Sequence, residues 1–225
     1  MTPPPKSFKT VPWDTAAFGI CAYEIHEPTP EALEIAKQLP GHYCIRVDPL
    51  ASKQLLNDYG FYYCDTLIEP YCTEDRFIPF VDSEVCVNKD WTLERLLKVC
   101  HGAFSHGRFH RDFNLTQAKA DQRYDNWLSQ LHSAGKVHGL LYRGALAGFI
   151  AVDGNKLVLH ALDELMRGRG LAKSLWTPLC KTLFASGHKE VTSSVSAGNL
   201  AVVNLYSRLG FSFRNPVDIY HRLTR

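Results

Sequence analysis

Residues 165–172 form a glycine-rich turn, Leu165-Met166-Arg167-Gly168-Arg169-Gly170-Leu171-Ala172, between a strand-like run and a helix-like run. Glycine lets the backbone turn sharply and approach a ligand closely. The unpaired N–H groups of the first helical turn then point at one spot, which carries partial positive charge from the helix dipole. A diphosphate suits such a spot, and Arg167 and Arg169 add positive charge around it. Taken alone, the turn is more often an exposed basic loop than a binding site.

Two other phosphate-binding interpretations fail on the residues that follow the turn. Glu190 lies about 20 residues on, where a dinucleotide-binding unit carries its ribose-binding acid. However, Lys173 stands where the third glycine of that motif belongs, and the strands before the turn predict a meander where the motif needs a parallel unit. A nucleoside triphosphate loop is excluded as well, because no Gly-Lys-Ser/Thr follows the glycines.

The residues around the turn predict an α/β (α+β) domain over residues 81–225. Apolar spacing and turn residues such as Asp153-Gly154 separate the predicted elements. Strands are predicted at 84–87, 137–142, 145–152, 156–162, 190–195 and 211–223, and helices at 92–104, 115–134, 170–186 and 200–209. A meander of three strands followed by a strand–helix–strand crossover predicts a mixed central sheet.

Residues 1–80 predict a separate N-terminal unit that partly repeats the end of the chain. With Gly60-Phe61 placed over Gly210-Phe211, a shift of 150 residues, both stretches read as strand, turn, amphipathic helix, Gly-Phe and strand. The N-terminal copy lacks the glycine-rich turn, so even a true half-repeat carries no second active site.

The amino-acid composition limits which partners the protein can bind and in which compartment it is expected. The chain has 225 residues, of which 45% are hydrophobic and 21% charged, with a formal net charge of +2. This balance predicts a buried core and gives no sign of a nucleic-acid partner. The seven cysteines are odd in number and never form a CxxC pair, so we predict reduced thiols. No signal-peptide core and no run of about 18 apolar residues is present, so we expect a cytoplasmic protein without a membrane partner.

The turn becomes specific when a second motif is considered with it. The pattern R-x-x-G-x-G/A is met by Arg167, Gly170 and Ala172, and Asn199 is followed seven residues later by Tyr206 and then by Gly210-Phe211. In order and spacing, the two motifs resemble the GCN5-related N-acetyltransferase (GNAT) superfamily. The resemblance implies a GNAT fold, acetyl-coenzyme A (acetyl-CoA) as acyl donor, and these donor-binding residues: Leu162, Arg167, Gly168, Arg169, Gly170, Leu171, Ala172 and Asn199.

The resemblance also implies catalytic roles, and each residue has a structural alternative. Tyr206 would protonate the departing thiolate, and a backbone N–H near Leu162 would polarise the thioester carbonyl. Tyr206 is otherwise an aromatic residue that buries its ring, and Asn199 is otherwise a helix cap. Four candidates could act as the base that takes the proton from the amine: His160, Glu164, Asp163 and a chain of water molecules. Of these, we select His160 and Glu164.

The acceptor is expected to contact residues 101–127. His101, His106 and His110 are poorly spaced for a metal, so no metal is expected. Further motifs lie at Arg108-Phe109-His110-Arg111-Asp112, at Tyr124 and Trp127, and at Trp13-Asp14 with Phe18-Gly19. Together they resemble bacterial dTDP-fucosamine acetyltransferases, which also have an N-terminal partial GNAT-like unit. The resemblance implies that Arg108, Asp112 and Tyr124 bind the acceptor. Alternatively, Tyr124 is a core aromatic residue, and Arg108 pairs with Asp112.

The sequence therefore predicts an N-acetyltransferase that acts on a primary amine, with the amino group of a nucleotide-linked deoxyamino sugar as the leading acceptor. Another small amine, a peptide N-terminus, and a non-catalytic CoA-binding module are the alternatives. The expected partner is a small-molecule acceptor, and a homodimer is left open.

Overall fold

A computed structural model describes residues 7–225 and divides the chain into two compact units. The first unit comprises the residues up to Leu67 together with Ser105–Arg123 and Pro216–Arg225, and the second comprises Ile68–Phe104 and Tyr124–Asn215. This division differs from the predicted boundary between residues 80 and 81. The difference arises because residues 105–123 and 216–225 return to the first unit, a long-range association that local sequence patterns do not reveal. Residues 1–6 of the predicted N-terminal unit lie outside the described residues.

In chain order, the first seven elements alternate between strand and helix. They are β1 (Phe8–Thr10), α1 (Pro12–Phe18), β2 (Ala22–Ile25), α2 (Pro30–Gln38), β3 (Gly41–Val47), α3 (Gln54–Asp58) and β4 (Tyr62–Thr73). Helix α2 starts where the sequence chemistry predicts a start, because Thr29 caps it through its side chain and Pro30 occupies its first position.

The later elements carry the predicted site. They are β5 (Val85–Asn88), α4 (Leu93–Cys100), α5 (Gln117–Ser133), β6 (Val137–Tyr142), β7 (Ala145–Asp153), β8 (Lys156–Leu162), α6 (Ala172–Ala185), β9 (Glu190–Ser193), β10 (Val195–Ser196), α7 (Leu200–Arg208) and β11 (Ser212–Thr224). Every predicted strand and helix of residues 81–225 is present, with helix ends up to four residues shorter than predicted.

In the first unit, β3 lies between β2, to which it is parallel, and β11, to which it is antiparallel. One sheet face is apolar: Tyr43, Ile45 and Tyr220 pack there with Leu33 of α2. Because side chains alternate along a strand, His42 and His221 belong to the opposite face, and both are buried. A buried imidazole needs hydrogen-bond partners, so this second face requires polar residues to cover it.

In the second unit, the strand order is β4-β9-β8-β7-β6-β5, with β6, β7 and β8 forming the predicted antiparallel meander. Strands β8 and β9 are parallel, so the sheet is mixed as predicted. Their pairing is short: Lys156 pairs with Thr192 and Leu157 with Ser193. Strand β8 continues to Leu162, whereas β9 ends at Ser193. A gap therefore opens beside the last residues of β8.

The two stretches of the predicted half-repeat have a similar order of elements, with the short strand β10 as an addition in the second. Strand β3 is followed by α3, Gly60 and β4, and strand β9 by β10, α7, Gly210 and β11. Both glycines have positive φ angles, +71° at Gly60 and +89° at Gly210. A common origin of the two stretches stays a prediction.

None of the helices within residues 7–225 combines the length and the apolar character needed to cross a lipid bilayer.

Candidate functional site

A cleft of about 270 Å³ lies in the second unit, where the glycine-rich turn meets helix α7. Its walls are mostly apolar, and Lys173 and Arg208 are the two charged residues among them. The lining comes from the end of β8, from the turn and the start of α6, and from one face of α7: Leu162, Met166, Gly168, Gly170, Leu171, Ala172, Lys173, Ala201, Asn204, Leu205 and Arg208. The structure thus brings five of the eight predicted donor-binding residues, Leu162, Gly168, Gly170, Leu171 and Ala172, to one cleft.

The conformation of the turn explains its glycines. Gly168 and Gly170 have φ angles of +72° and +75°, in the left-handed region that other residues rarely adopt. Helix α6 begins directly afterwards at Ala172, and no side-chain cap satisfies its first N–H groups. Unpaired N–H groups at the start of a helix attract anions. The residues present therefore suit a bound pyrophosphate.

The two arginines of the turn are exposed and do not line the cleft. The Nε of Arg167 donates a hydrogen bond to the carbonyl oxygen of Leu162 at 3.1 Å, and Arg169 contacts the sulfur of Met166 at 3.3 Å. Arg167 therefore braces the turn against the end of β8. Lys173 and Arg208 line the cleft, but the sequence patterns did not identify them as donor-binding residues. One face of helix α7 carries residues 201, 204, 205 and 208, which are three or four positions apart. This spacing is the sequence signal that could have identified Arg208 as a cleft residue.

The backbone of Leu162 faces the gap beside β8. In the antiparallel pair of β7 and β8, the N–H of Asp163 donates to the carbonyl of Ala147 at 2.9 Å. Bonded and non-bonded positions alternate, so the N–H of Leu162 points away from β7, to the side on which β9 has ended. This orientation fits the predicted oxyanion donor.

Gly148 keeps the end of β8 in place. It lies opposite Leu162 in the β7–β8 pair. A Cβ atom at this position would lie 2.5 Å from the carbonyl oxygen of Ala161 and 2.8 Å from Cδ2 of Leu162. Only glycine fits this close approach without displacing the strand that carries the Leu162 N–H.

Two predicted catalytic residues meet in the structure. The hydroxyl of Tyr206 on α7 lies 3.0 Å from Nε2 of His160 on β8. Tyr206 is fully buried, and the ring of His160 also meets that of Trp176 edge to face, with centroids 5.2 Å apart. Glu164, the other predicted base, is exposed on a short 3₁₀ helix, Glu164–Met166, and within residues 7–225 it makes no hydrogen bond to this pair.

Burial sets the protonation of the pair. It lowers the pKa of His160 to about 4, so the imidazole is uncharged at neutral pH. Burial also raises the pKa of the Tyr206 phenol above its usual value, although Ser193 and Trp176 act in the opposite direction. Tyr206 therefore keeps its proton at neutral pH.

Asn199 serves as a helix cap. Its side-chain oxygen accepts a hydrogen bond from the N–H of Val202 at 3.3 Å, at the start of α7. This is the structural alternative considered for Asn199, and the residue does not line the cleft. By starting α7, the cap indirectly places Tyr206.

The residues predicted to bind the acceptor lie in different units. In the second unit, Tyr124 stacks on Phe104, with ring centroids 4.3 Å apart. In the first unit, the guanidinium of Arg108 lies 4.7 Å from the centroid of the Phe109 ring. Both side chains are at least partly buried.

Asp112 is buried at the centre of a hydrogen-bond network in the first unit. Its Oδ2 accepts from Nε2 of His42 and Nδ1 of His221, both at 2.9 Å. Its Oδ1 accepts from the hydroxyl of Tyr62 at 2.8 Å and from the N–H of Asn114 at 2.9 Å. Burial alone would raise the pKa of Asp112, but the hydrogen bonds from the two histidines outweigh it and hold the pKa well below its usual range.

This network shows which groups the buried carboxylate of Asp112 contacts, and a role of Asp112 toward the acceptor stays a prediction. Four donors fill its carboxylate, so the geometry does not support direct contact with an acceptor or the alternative pairing with Arg108. His42, Asp112 and His221 could also ligate a metal ion, since their ligand atoms lie within 4.8 Å of one another. However, separations of 2.9 Å between nitrogen and oxygen are those of hydrogen bonds, and the network satisfies the carboxylate without an ion.

Comparisons with known proteins agree with this geometry. Residues 103–211 match the model of the acetyltransferase (GNAT) family. The chain is 24% identical over 134 residues to the spore coat polysaccharide biosynthesis protein SpsD of Bacillus subtilis (strain 168), a match that spans 57% of this chain and 46% of that protein.

Solved structures share the fold at low sequence identity. A GCN5-related N-acetyltransferase from Sphaerobacter thermophilus has a TM-score of 0.59 at 15% identity, covering 82% of this chain and 60% of that one. A tandem GNAT protein from the clavulanic acid biosynthesis pathway has a TM-score of 0.55 at 12% identity, covering 91% and 77%. The glycine-rich turn and the end of β8 both lie within residues 103–211, the segment that matches the acetyltransferase (GNAT) family, and the solved structures show that the chain has the fold of these acetyltransferases.

Proposed function

We propose that this protein transfers an acetyl group from acetyl-CoA to a primary amine, and that the amine belongs to a nucleotide-linked deoxyamino sugar. The observation that carries the proposal is that the end of β8, the glycine-rich turn and one face of α7 line a single cleft. A thioester donor needs an anion site for its pyrophosphate and an N–H for its carbonyl, which the turn and the end of β8 would supply in this cleft. Tyr206, the proposed proton donor, is on α7 but is buried and is not one of the residues that line the cleft.

Donor binding is assigned to the turn and to α7. The unpaired N–H groups at the start of α6 would hold the pyrophosphate, with the helix dipole adding attraction. Arg208 adds a positive charge, and no carboxylate lines the cleft. The apolar residues Leu162, Leu171 and Leu205 suit the less polar arm of the donor. Lys173 is held by a cation–π contact, with its Nζ 4.1 Å from the centroid of the Phe80 ring.

The proposed chemistry divides between β8 and α7. Acetyl-CoA supplies a thioester, whose C–S bond breaks as the amine nitrogen forms a C–N bond to the carbonyl carbon. The N–H of Leu162 donates to the carbonyl oxygen, where negative charge develops. Tyr206 gives its proton to the thiolate sulfur, and the amine gives up a proton to solvent. With a pKa of about 4, His160 is a weak base at neutral pH, so we assign it to holding the Tyr206 hydroxyl.

The acceptor class rests on weaker support. The similarity to a spore coat polysaccharide biosynthesis protein favours a sugar-linked amine. Arg108 and Tyr124 stay the proposed acceptor-binding residues, because a planar guanidinium suits phosphate and an aromatic ring suits a sugar or a base. Asp112 is proposed to shape the segment 105–116 through its hydrogen bonds instead of touching the acceptor.

The test separates donor binding from transfer. Titration calorimetry with acetyl-CoA measures donor affinity, and a thiol-release assay with a panel of dTDP-linked amino sugars, free amino sugars, polyamines and peptide N-termini measures transfer. We expect micromolar donor binding and the highest kcat/KM with a nucleotide-linked amino sugar.

Other outcomes distinguish the alternatives. Activity on peptides but not on sugars would refute the acceptor and keep the acetyltransferase. Donor binding without turnover on any acceptor would favour a CoA-binding module. Absence of donor binding would refute the proposed function altogether.

A further inference from the structure

Trp176 has a buried polar group without a hydrogen-bond partner in the second unit. Its side chain on α6 is 2% exposed, and its indole N–H makes no hydrogen bond within the described part of the chain. A buried donor without an acceptor costs free energy, so such groups are rare and need an explanation. Packing alone does not provide one, because a phenylalanine would fill the core without this cost.

The surroundings of Trp176 connect it to the proposed acid. Its ring meets His160 edge to face, and the ring of His160 meets Tyr206 in the same way, with centroids 5.2 Å and 5.9 Å apart. The Tyr206 hydroxyl lies within this cluster, 3.0 Å from Nε2 of His160. Trp176 on α6, His160 on β8 and Tyr206 on α7 thus form one cluster of rings.

In this cluster, the indole N–H of Trp176 is a hydrogen-bond donor without an acceptor within residues 7–225. The Ser193 hydroxyl already donates to the carbonyl of Leu157 at 2.8 Å. Burial raises the pKa of Tyr206, whereas Ser193 and Trp176 lower it. The ring contacts through His160, together with the unpartnered state of the indole N–H, leave this N–H as the donor of the cluster that an anion on the Tyr206 oxygen could use.

We propose that Trp176 is a positioning residue whose indole N–H stabilises the Tyr206 phenolate, the anion left when Tyr206 gives its proton to the departing thiolate. This inference rests on the proposed function. In this step the O–H bond of Tyr206 breaks, an S–H bond forms on the leaving group, and the negative charge moves to the phenol oxygen. Solvent water then returns a proton to Tyr206.

The unpaired state of the N–H is what gives it this role. A hydrogen bond to an anion is stronger than one to a neutral hydroxyl, so the interaction strengthens as the proton leaves. A donor that acts only as charge develops accelerates the step without tightening the ground state. Trp176 should therefore affect kcat and leave the binding of acetyl-CoA unchanged.

The experiment is a double-mutant cycle of Trp176→Phe and Tyr206→Phe. Trp176→Phe removes the N–H and keeps an aromatic ring in the core. We expect kcat to fall about tenfold, with KM for acetyl-CoA within about twofold of the wild type. In the Tyr206→Phe background, the same substitution should leave kcat unchanged, because no phenolate forms there. Trp91→Phe is the matched control, since its indole N–H in the second unit is also buried and without a hydrogen bond.

The outcomes separate this inference from the proposed function. Equal losses of kcat in both backgrounds, or a loss that Trp91→Phe reproduces, would overturn the role of Trp176 and leave the acetyltransferase intact. No thiol release by the wild type would overturn both. Melting temperatures are recorded for each variant. If Trp176→Phe does not fold, Trp176→Met is the second variant lacking the N–H, and it should show the same dependence on Tyr206.

Discussion

At residue 206, a buried hydroxyl lies 3.0 Å from the partly buried imidazole of His160, and this single contact carries the proposed acid chemistry. If Nε2 of His160 donates to the Tyr206 oxygen, the Tyr206 O–H is free to point at the thiolate. The uncharged state of His160 at neutral pH permits this tautomer. We therefore expect substitutions at residue 206 to affect turnover more than donor affinity.

The first prediction concerns Tyr206→Phe, which removes the hydroxyl and keeps the ring. We expect turnover to fall by about ten- to a thousandfold, the usual contribution of a general acid. The measurement is thiol release at saturating acetyl-CoA. Calorimetry should show donor affinity within about twofold of the wild type, because the binding groups are on the turn. Unchanged turnover would remove Tyr206 from the mechanism.

The second prediction concerns Asp112→Asn, which replaces a carboxylate by an amide at the centre of four donors. The amide cannot accept from both histidines and adds donors of its own, so we expect the free energy of unfolding to fall by about 3 kcal/mol. Urea unfolding measures this change. Asp153→Asn, which breaks the exposed ion pair with Lys136, should cost less than about 1 kcal/mol. Equal effects of the two substitutions would contradict a network role for Asp112.

At the scale of elements, the strand–turn–helix unit from β8 to α6 was largely predictable from sequence. Strands β6 and β8 have the predicted boundaries, because both are apolar runs and glycine-containing turns precede β6, separate it from β7 and separate β7 from β8. The strand ending at Leu162 and the turn were predicted from residue type alone. The bracing of the turn by Arg167 was not, because a hydrogen bond from a guanidinium to the carbonyl five residues earlier leaves no pattern in the sequence.

The third prediction tests the glycine-rich turn through Gly170→Ala. Gly170 has a φ of +75°, and no other atom lies within 4 Å of an added Cβ, so the cost is conformational strain of about 1 kcal/mol without a clash. Strain in the turn should displace its N–H groups and weaken acetyl-CoA binding by about fivefold, as measured by calorimetry.

Gly154→Ala provides the matched control for this prediction. Gly154 has a φ of +60° in the turn between β7 and β8, and it too has open space around its Cβ position. The same strain outside the cleft should change donor affinity by less than about twofold. Equal affinities for the two variants would show that the turn does not hold the donor.

At the scale of the whole molecule, sequence patterns identified the fold family but not the division into units. Asp112 was selected from a local motif, yet its partners His42 and His221 lie 70 and 109 residues away. Arg208 was missed although it lines the cleft, because a basic residue on an amphipathic helix normally belongs to the solvated face. The sequence patterns could not predict long-range contacts, and they could not predict whether a given face of a helix lies toward the cleft or toward solvent.

The fourth prediction concerns the pH dependence of stability. Burial lowers the pKa of His160 to about 4 and depresses that of His221 as well, whereas the ordinary value is 6.5. Between these values the unfolded chain binds protons that the folded chain does not. Stability should therefore be constant above about pH 7 and decline as the pH falls from 6.5 to 4.

Urea midpoints at several pH values between 7.5 and 4.5 measure this decline. Below pH 4, protonation of Asp112 in the unfolded chain should extend it, since the pKa of Asp112 is also depressed in the folded state. His160→Gln removes one of the titrating groups and should flatten the dependence. A midpoint that stays constant down to pH 4.5 would contradict the burial of neutral histidines.

The return of residues 216–225 to the first unit has a consequence for biosynthesis. Strand β3 pairs with β11, so its partner at Asp218–Thr224 leaves the ribosome about 170 residues after Val47. At usual translation rates, one edge of β3 stays open for roughly 10 to 35 seconds. An open strand edge is a template for association with other chains. The first unit therefore completes this strand pairing only after Asp218–Thr224 has been synthesised, and until then the open edge of β3 is a site at which the nascent chain can associate with other chains.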